Sequence, residues 1–132
     1  MKRKPGLTAV EWEIMEAIWE LGGSPAVRDV LDHAFPNGEK AYTTVQTIMN
    51  NLVGKGHLAR RKTGLVNFYT PVKKRSQMVR KETSNLLSRV FHGSVPAMTS
   101  HLLKSEDLTL EEIKGIRELL DARARKIRRK KP

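Results

Sequence analysis

Apolar side chains recur along the first third of the chain at helical spacing. Val10, Ile14, Ala17, Ile18 and Leu21 lie three or four residues apart or side by side on one helical face, the repeat of a helix that buries one side. Thr8 and Glu11 stand at the two ends of a capping box that opens this helix, and Gly22-Gly23 closes it. Trp12, Met15 and Trp19 form a second stripe, also read as core. Ser24-Pro25 has the pattern of an N-cap followed by proline at the first helical position. It predicts a short second helix carrying Val27, Val30, Leu31 and Ala34, ended by the turn Phe35-Pro36-Asn37-Gly38. Val45, Ile48, Met49 and Leu52 predict a third helix from about Tyr42 to Val53, closed by Gly54 and Gly56. From His57 to Pro71 the pattern changes. HLARRK and VNFYT read as two strands joined at Thr63-Gly64. Three short helices followed by a basic hairpin is the order of a winged helix-turn-helix.

Beyond the hairpin, a long helix is expected from about Lys73 to Phe91, a break at His92-Gly93-Ser94, and a short helix from about Pro96 to Leu103. A second capping box, Thr109 to Glu112, opens the last helix. There Ile113, Ile116, Leu120, Ala124 and Ile127 are spaced 3, 4, 4 and 3 apart, an average of about 3.5, as in a helix–helix seam. About 60 residues are too few to close a good core alone. The apolar stripes need a partner, and a second copy of the chain is the simplest one; packing back onto the N-terminal domain is the alternative. The seam expected between two copies comprises Leu86, Val90, Phe91, Met98, Leu102, Ile113, Ile116 and Leu120. The expected architecture is mainly α: a winged helix-turn-helix domain over residues 1–72, then a helical dimerisation domain over residues 73–132 with a basic tail.

Composition narrows the function. The 132 residues are 39% hydrophobic and 30% charged, ordinary for a soluble domain. No apolar run approaches the ~18 residues of a membrane span, and no apolar signal core follows the basic start MKRKPGLTAVEWE, so a cytoplasmic protein is expected. There is no cysteine, which excludes disulfides, thiolate metal sites and cysteine nucleophiles. The net charge of +11 suggests a polyanionic partner, but its distribution weakens that inference. Residues 1–71 carry 9 basic and 7 acidic groups, residues 72–132 carry 16 and 7, and seven positives lie in RARKIRRKKP. That tail reads as a solvated run, as extra phosphate contacts, or as a contact to an anionic membrane surface. Chemistry is thin. The four histidines show no H-x-x-x-H spacing, and there is no G-x-S-x-G or glycine-rich phosphate loop. His57 reads as a surface hydrogen-bonding group. Glu106-Asp107 complements a helix N-terminus. No enzyme, metal or cofactor is expected.

The local case for DNA rests on the third helix. Opposite its buried stripe stand Thr43, Gln46, Thr47 and Asn50, flanked by Thr44 and Asn51, with no charge among them. Short polar side chains of this kind reach base edges in the major groove. Gln and Asn pair with adenine N6 and N7, and Thr methyls meet the thymine methyl, which favours a half-site containing A/T pairs. Such a face binds weakly alone and needs cations on the phosphates beside it. Arg60, Arg61 and Lys62 in the wing and Lys55 in the turn fit that division of labour.

On these residues the sequence resembles the penicillinase-repressor family of bacterial transcription regulators. LTAVEWEIMEAIW is similar to the family's opening helix, AYTTVQTIMNNLVGKGHL to its recognition helix and exit turn, GLVNFYTP to its wing end, and FHGSVPAMTSHLLKSEDLTLEEIKGIRELLD to its dimerisation region. The resemblance implies a homodimer that binds an inverted-repeat DNA operator near a promoter and represses by blocking transcription. It places Tyr42, Thr43, Thr44, Gln46, Thr47 and Asn50 on the DNA, with wing contacts near Arg60 to Lys62. Three departures stand out. Leu65 replaces an arginine of the family's wing. Ser100-His101 stands where relatives controlled by a membrane sensor-protease carry a cleavable Asn-Phe pair. The cysteine motif of copper-responsive relatives is absent.

Overall fold

The structure, a computed structural model, describes residues 6–130. The basic residues at the start of the chain (1–5) and the last two of the tail (131–132) lie outside the described residues.

Helix α1 (Ala9–Leu21) begins at the capping box read from the sequence. The Thr8 amide donates to Glu11 Oε1 at 2.9 Å, and the Glu11 amide donates to Thr8 Oγ1 at 3.2 Å, so two otherwise unpaired donors are satisfied together. Gly22, with φ +72°, ends the helix. Helix α2 (Val27–Ala34) starts later than its sequence suggests. Ser24-Pro25 is not its cap. These residues run extended beside the wing: the Pro25 carbonyl accepts from the Tyr69 amide at 2.9 Å, Ala26 bridges Phe68, and the Ser24 and Thr70 hydroxyls meet at 2.6 Å. The cap falls on Ala26, whose amide donates to Asp29 Oδ2 at 2.9 Å. Proline suits this position because only its carbonyl is asked to bond.

Helix α3 (Tyr42–Gly54) is followed by strands β1 (Leu58–Thr63) and β2 (Val66–Pro71), which pair antiparallel from Leu58↔Pro71 to Thr63↔Val66. Gly64, with φ +63°, sits in the turn, a backbone region that costs glycine nothing. Ile14, Met15, Ile18, Val30, Val45, Met49, Leu52 and Tyr69 are buried where α1, α2, α3 and the hairpin meet. Each large side chain so buried contributes about 1.5–3 kcal/mol of transfer free energy. Trp12 and Trp19 are only half-buried and tilt against each other with centroids 5.9 Å apart. The Trp19 indole donates to the Lys73 carbonyl.

Helix α4 (Arg75–Phe91) is shared between two compact units, residues 1–85 and 86–132. This division falls later than the boundary at residue 72 read from the sequence. The start of α4 is fastened to the first unit: Arg75 Nε donates to Glu16 Oε1 at 2.7 Å, and Met78 is buried.

The second unit holds the end of α4, helix α5 (Val95–Ser105) and helix α6 (Leu110–Lys130). His92 and Gly93 take positive φ at the break, and the Ser94 hydroxyl caps α5 by accepting from the Ala97 amide. Thr109 and Glu112 form the expected reciprocal cap. No residue from 86 to 130 is buried. Up to Lys130 the tail continues α6 as helix. Cations there lie at the negative end of the helix dipole, which favours them.

Candidate nucleic-acid interface

Burial of Val45, Met49 and Leu52 fixes the rotation of α3. The opposite side is therefore presented to solvent. Thr43, Thr44, Thr47 and Asn51 are exposed, and Gln46 and Asn50 are half-buried at the edge nearer the other elements. The Thr47 hydroxyl donates to the Thr43 carbonyl one turn back at 2.9 Å. Its proton is thus engaged, leaving its lone pairs for an outside donor.

Around this face the neighbouring elements place aromatic and cationic groups. At the start of α3, Tyr42 lies beneath Arg28 of α2, with the guanidinium carbon 5.2 Å from the ring centroid, within cation–π range. Among the described residues Arg28 has one carboxylate neighbour, a long, exposed approach to Asp32 at 3.9 Å. Arg28, Tyr42 and Gln46 line a concavity of about 330 Å³ together with Leu65, Val66 and Asn67 of the wing tip. Little in the sequence marks Arg28 out. Its only cue is one cation near the start of a helix, and the proximity to Tyr42 is created by the fold.

The hairpin divides the Arg60-Arg61-Lys62 run by the two-residue alternation of a strand. Arg60 pairs with Tyr69 and Lys62 with Asn67, whereas Arg61 pairs with Phe68. Arg60 turns toward α3, where its Nη1 donates to Asn50 Oδ1 at 2.9 Å. Arg61 lies on the other face with Ser24, Phe68 and Thr70. Arg60, Arg61 and Lys62 are all exposed. The Tyr69 hydroxyl, in a side chain with no exposure, also donates to Asn50 Oδ1, at 2.8 Å. Burial pushes the Tyr69 phenol above its ordinary value, against the opposing pull of Arg60, so it stays a neutral donor. The tip residue Leu65 is almost fully exposed.

Lys55, expected beside the phosphates, pairs with a carboxylate of the protein. Its ammonium contacts both oxygens of Glu11, at 3.0 and 2.8 Å. Glu11 is itself buried in α1. Burial raises the Glu11 carboxyl, but the Lys55 bond, the Thr8 amide and the Lys55 charge together outweigh it and hold the group below its ordinary value. The pair ties the exit of α3 to the start of α1. Burial lowers the pKa of His57, and the charges of Lys81, Lys55 and Lys73 lower it further against Glu11. His57 is thus neutral at physiological pH.

Of the expected seam, Leu86, Val90, Leu102 and Leu120 are exposed, while Phe91, Met98, Ile113 and Ile116 are half-buried. Val95, Leu103 and Leu120 also line an apolar concavity of about 490 Å³ between α5 and α6. Among the described residues no three His, Asp or Glu side chains are grouped to hold a metal ion, and no helix is long and apolar enough to cross a membrane.

Residues 7–122 match the profile of the family described as Penicillinase repressor. The penicillinase repressor of Bacillus licheniformis is 28% identical over 121 residues, covering 92% of this chain and 94% of that one. The methicillin resistance regulatory protein MecI of Staphylococcus aureus (strain N315) is 23% identical over 115 residues, covering 87% and 93%. A chain of the solved Giardia lamblia Hop2-Mnd1 complex overlays with a TM-score of 0.36 at 20% identity, covering 91% of this chain and 83% of that one, a likeness too slight to argue from.

Proposed function

From the premise that the chain belongs to the penicillinase repressor family, a family of transcriptional repressors and not of enzymes, we propose that it represses by binding an inverted-repeat operator as a homodimer. One observation carries this reading: α3 turns an uncharged polar face to solvent while cations of α2 and the wing surround it. Thr43, Thr44, Gln46, Thr47 and Asn50 lie at base edges of the major groove, where hydrogen-bonding groups and methyls distinguish base pairs. Arg28, Arg61 and Lys62 contact phosphates, which set register and affinity but carry no sequence. Tyr42 holds Arg28 at the start of the reading helix, and Lys55 holds α3 on α1 through Glu11.

Two copies join through the second unit. The absence of any buried residue between 86 and 130 supports this, because apolar positions on α4, α5 and α6 have no covering within the unit. A two-fold dimer presents two identical reading helices, and an operator with two-fold symmetry matches them. Occupancy of such a site near a promoter blocks transcription. Ser100-His101 stands in place of an Asn-Phe pair and the sequence has no cysteine, which speaks against release by cleavage of an Asn-Phe bond at that position and against thiolate capture of copper.

The cation-rich end of α6 favours one rival, an architectural protein that coats DNA without choosing sequence. Competition between a fragment of the chain's own upstream DNA and random duplex separates the two. A repressor prefers its operator by at least ~10³; equal binding would establish the architectural reading.

A further inference from the structure

Asn50 lies on the reading side of α3, where its carboxamide meets the wing. Its Oδ1 accepts twice from the protein, from the Tyr69 hydroxyl at 2.8 Å and from Arg60 Nη1 at 2.9 Å. A carboxamide oxygen has two lone pairs, so its accepting capacity is used. The orientation of the amide follows from chemistry: a guanidinium only donates, so the oxygen must face Arg60. Tyr69 has no exposure to water, and a flipped amide would leave its hydroxyl without an acceptor, which is costly. The half-buried Asn50 therefore offers an outside partner only the two N–H groups of Nδ2. Arg60, held beside it and exposed, also offers only donors.

The two purines differ at this point. Adenine presents N7 as an acceptor beside the N6 amino donor, and reading it takes a carboxamide with its oxygen free. Guanine presents two adjacent acceptors, N7 and O6. We propose that Tyr69 and Arg60 fix Asn50 as a donor-only reader, so that the base pair it meets in each half-site is G·C rather than the A·T pair expected of a free asparagine. Tyr69 is then a positioning residue that sets specificity through Asn50 without touching DNA. This inference rests on α3 being a sequence reader.

Site selection from a randomised duplex pool, with the full-length wild type, Asn50→Ala and Tyr69→Phe, tests it. The position whose preference disappears in Asn50→Ala marks the base pair that Asn50 reads. The wild type is expected to select G·C there and to disfavour A·T by about tenfold. Tyr69→Phe, which frees one lone pair of the amide, is expected to admit A·T at that position and leave the other positions unchanged, an effect that loss of stability alone does not produce. A second measurement uses only the wild type. Replacing the marked guanine by 7-deazaguanine, which lacks the N7 acceptor, is expected to weaken binding several-fold, and this result decides if Tyr69→Phe does not fold. An A·T pair at the marked position, no marked position at all, an unchanged selection by folded Tyr69→Phe, or indifference to 7-deazaguanine overturns the inference while leaving the repressor reading intact. If the wild type enriches no sequence, the repressor reading fails and the inference with it.

Discussion

Lys55 and Arg60 are both cations beside α3, and the fold gives them different partners. Lys55 is drawn to Glu11, whereas Arg60 extends along the edge of the polar face of α3 and donates to Asn50. Removing Glu11 therefore tests stability. Its folded pKa lies below the ordinary value of 4.5, so its contribution is fully present above that pH and is lost as pH falls through the lower folded value. Thermal melts across that range should show wild type losing stability more steeply in acid than Glu11→Gln, and parallel curves would mean that the pair contributes nothing. Gln46→Ala tests base reading: operator affinity should fall by about 1–3 kcal/mol with random DNA hardly affected, measured by binding titration. Arg61→Ala should weaken both DNAs and flatten the salt dependence by about one unit of slope per half-site. The uncharged polar face of α3 was legible in the sequence because helical spacing alone puts Thr43, Thr47 and Asn50 opposite Val45, Met49 and Leu52. The pairing of Lys55 was not, because the carboxylate that captures it lies 44 residues earlier in the chain, and the same distance effect hid the contacts of Arg28 with Tyr42 and of Tyr69 with Asn50.

Elements were most legible where their signals are local. Reciprocal caps at Thr8 and Thr109 lie within four residues of chain and formed where expected. Thr8→Ala should cost about 0.5–2 kcal/mol of folding free energy, measured by denaturant unfolding. A loss near zero would mean that the Glu11 amide finds another acceptor. The start of α2 was misplaced for the converse reason. Ser24-Pro25 carries a helix-start pattern, but β2 offers the Tyr69 amide to the Pro25 carbonyl and the Thr70 hydroxyl to Ser24, and a strand from another part of the chain outweighs a local preference. The end of α6 shows a third case. A run of like charges suggests an open tail, yet the cations sit at the helix end whose dipole favours them.

At the scale of the whole molecule, the two units differ in how completely each is closed. The winged helix has a buried core of its own, while residues 86–130 contain no buried side chain. Replacing Ile116 and Leu120 together by glutamate should leave the winged helix folded and convert the protein to monomer, as read by sedimentation; an unchanged dimer would remove α6 from the contact. Repression of the proposed kind depends on two α3 faces reading one duplex. Quantitative footprinting of the purified protein on its own upstream DNA, with random duplex as competitor, tests this most directly. The account predicts two protected segments related by inverted symmetry, filled in a single step and retained against a ~10³ excess of random DNA. Diffuse protection without symmetry, lost at equal competitor, would contradict it.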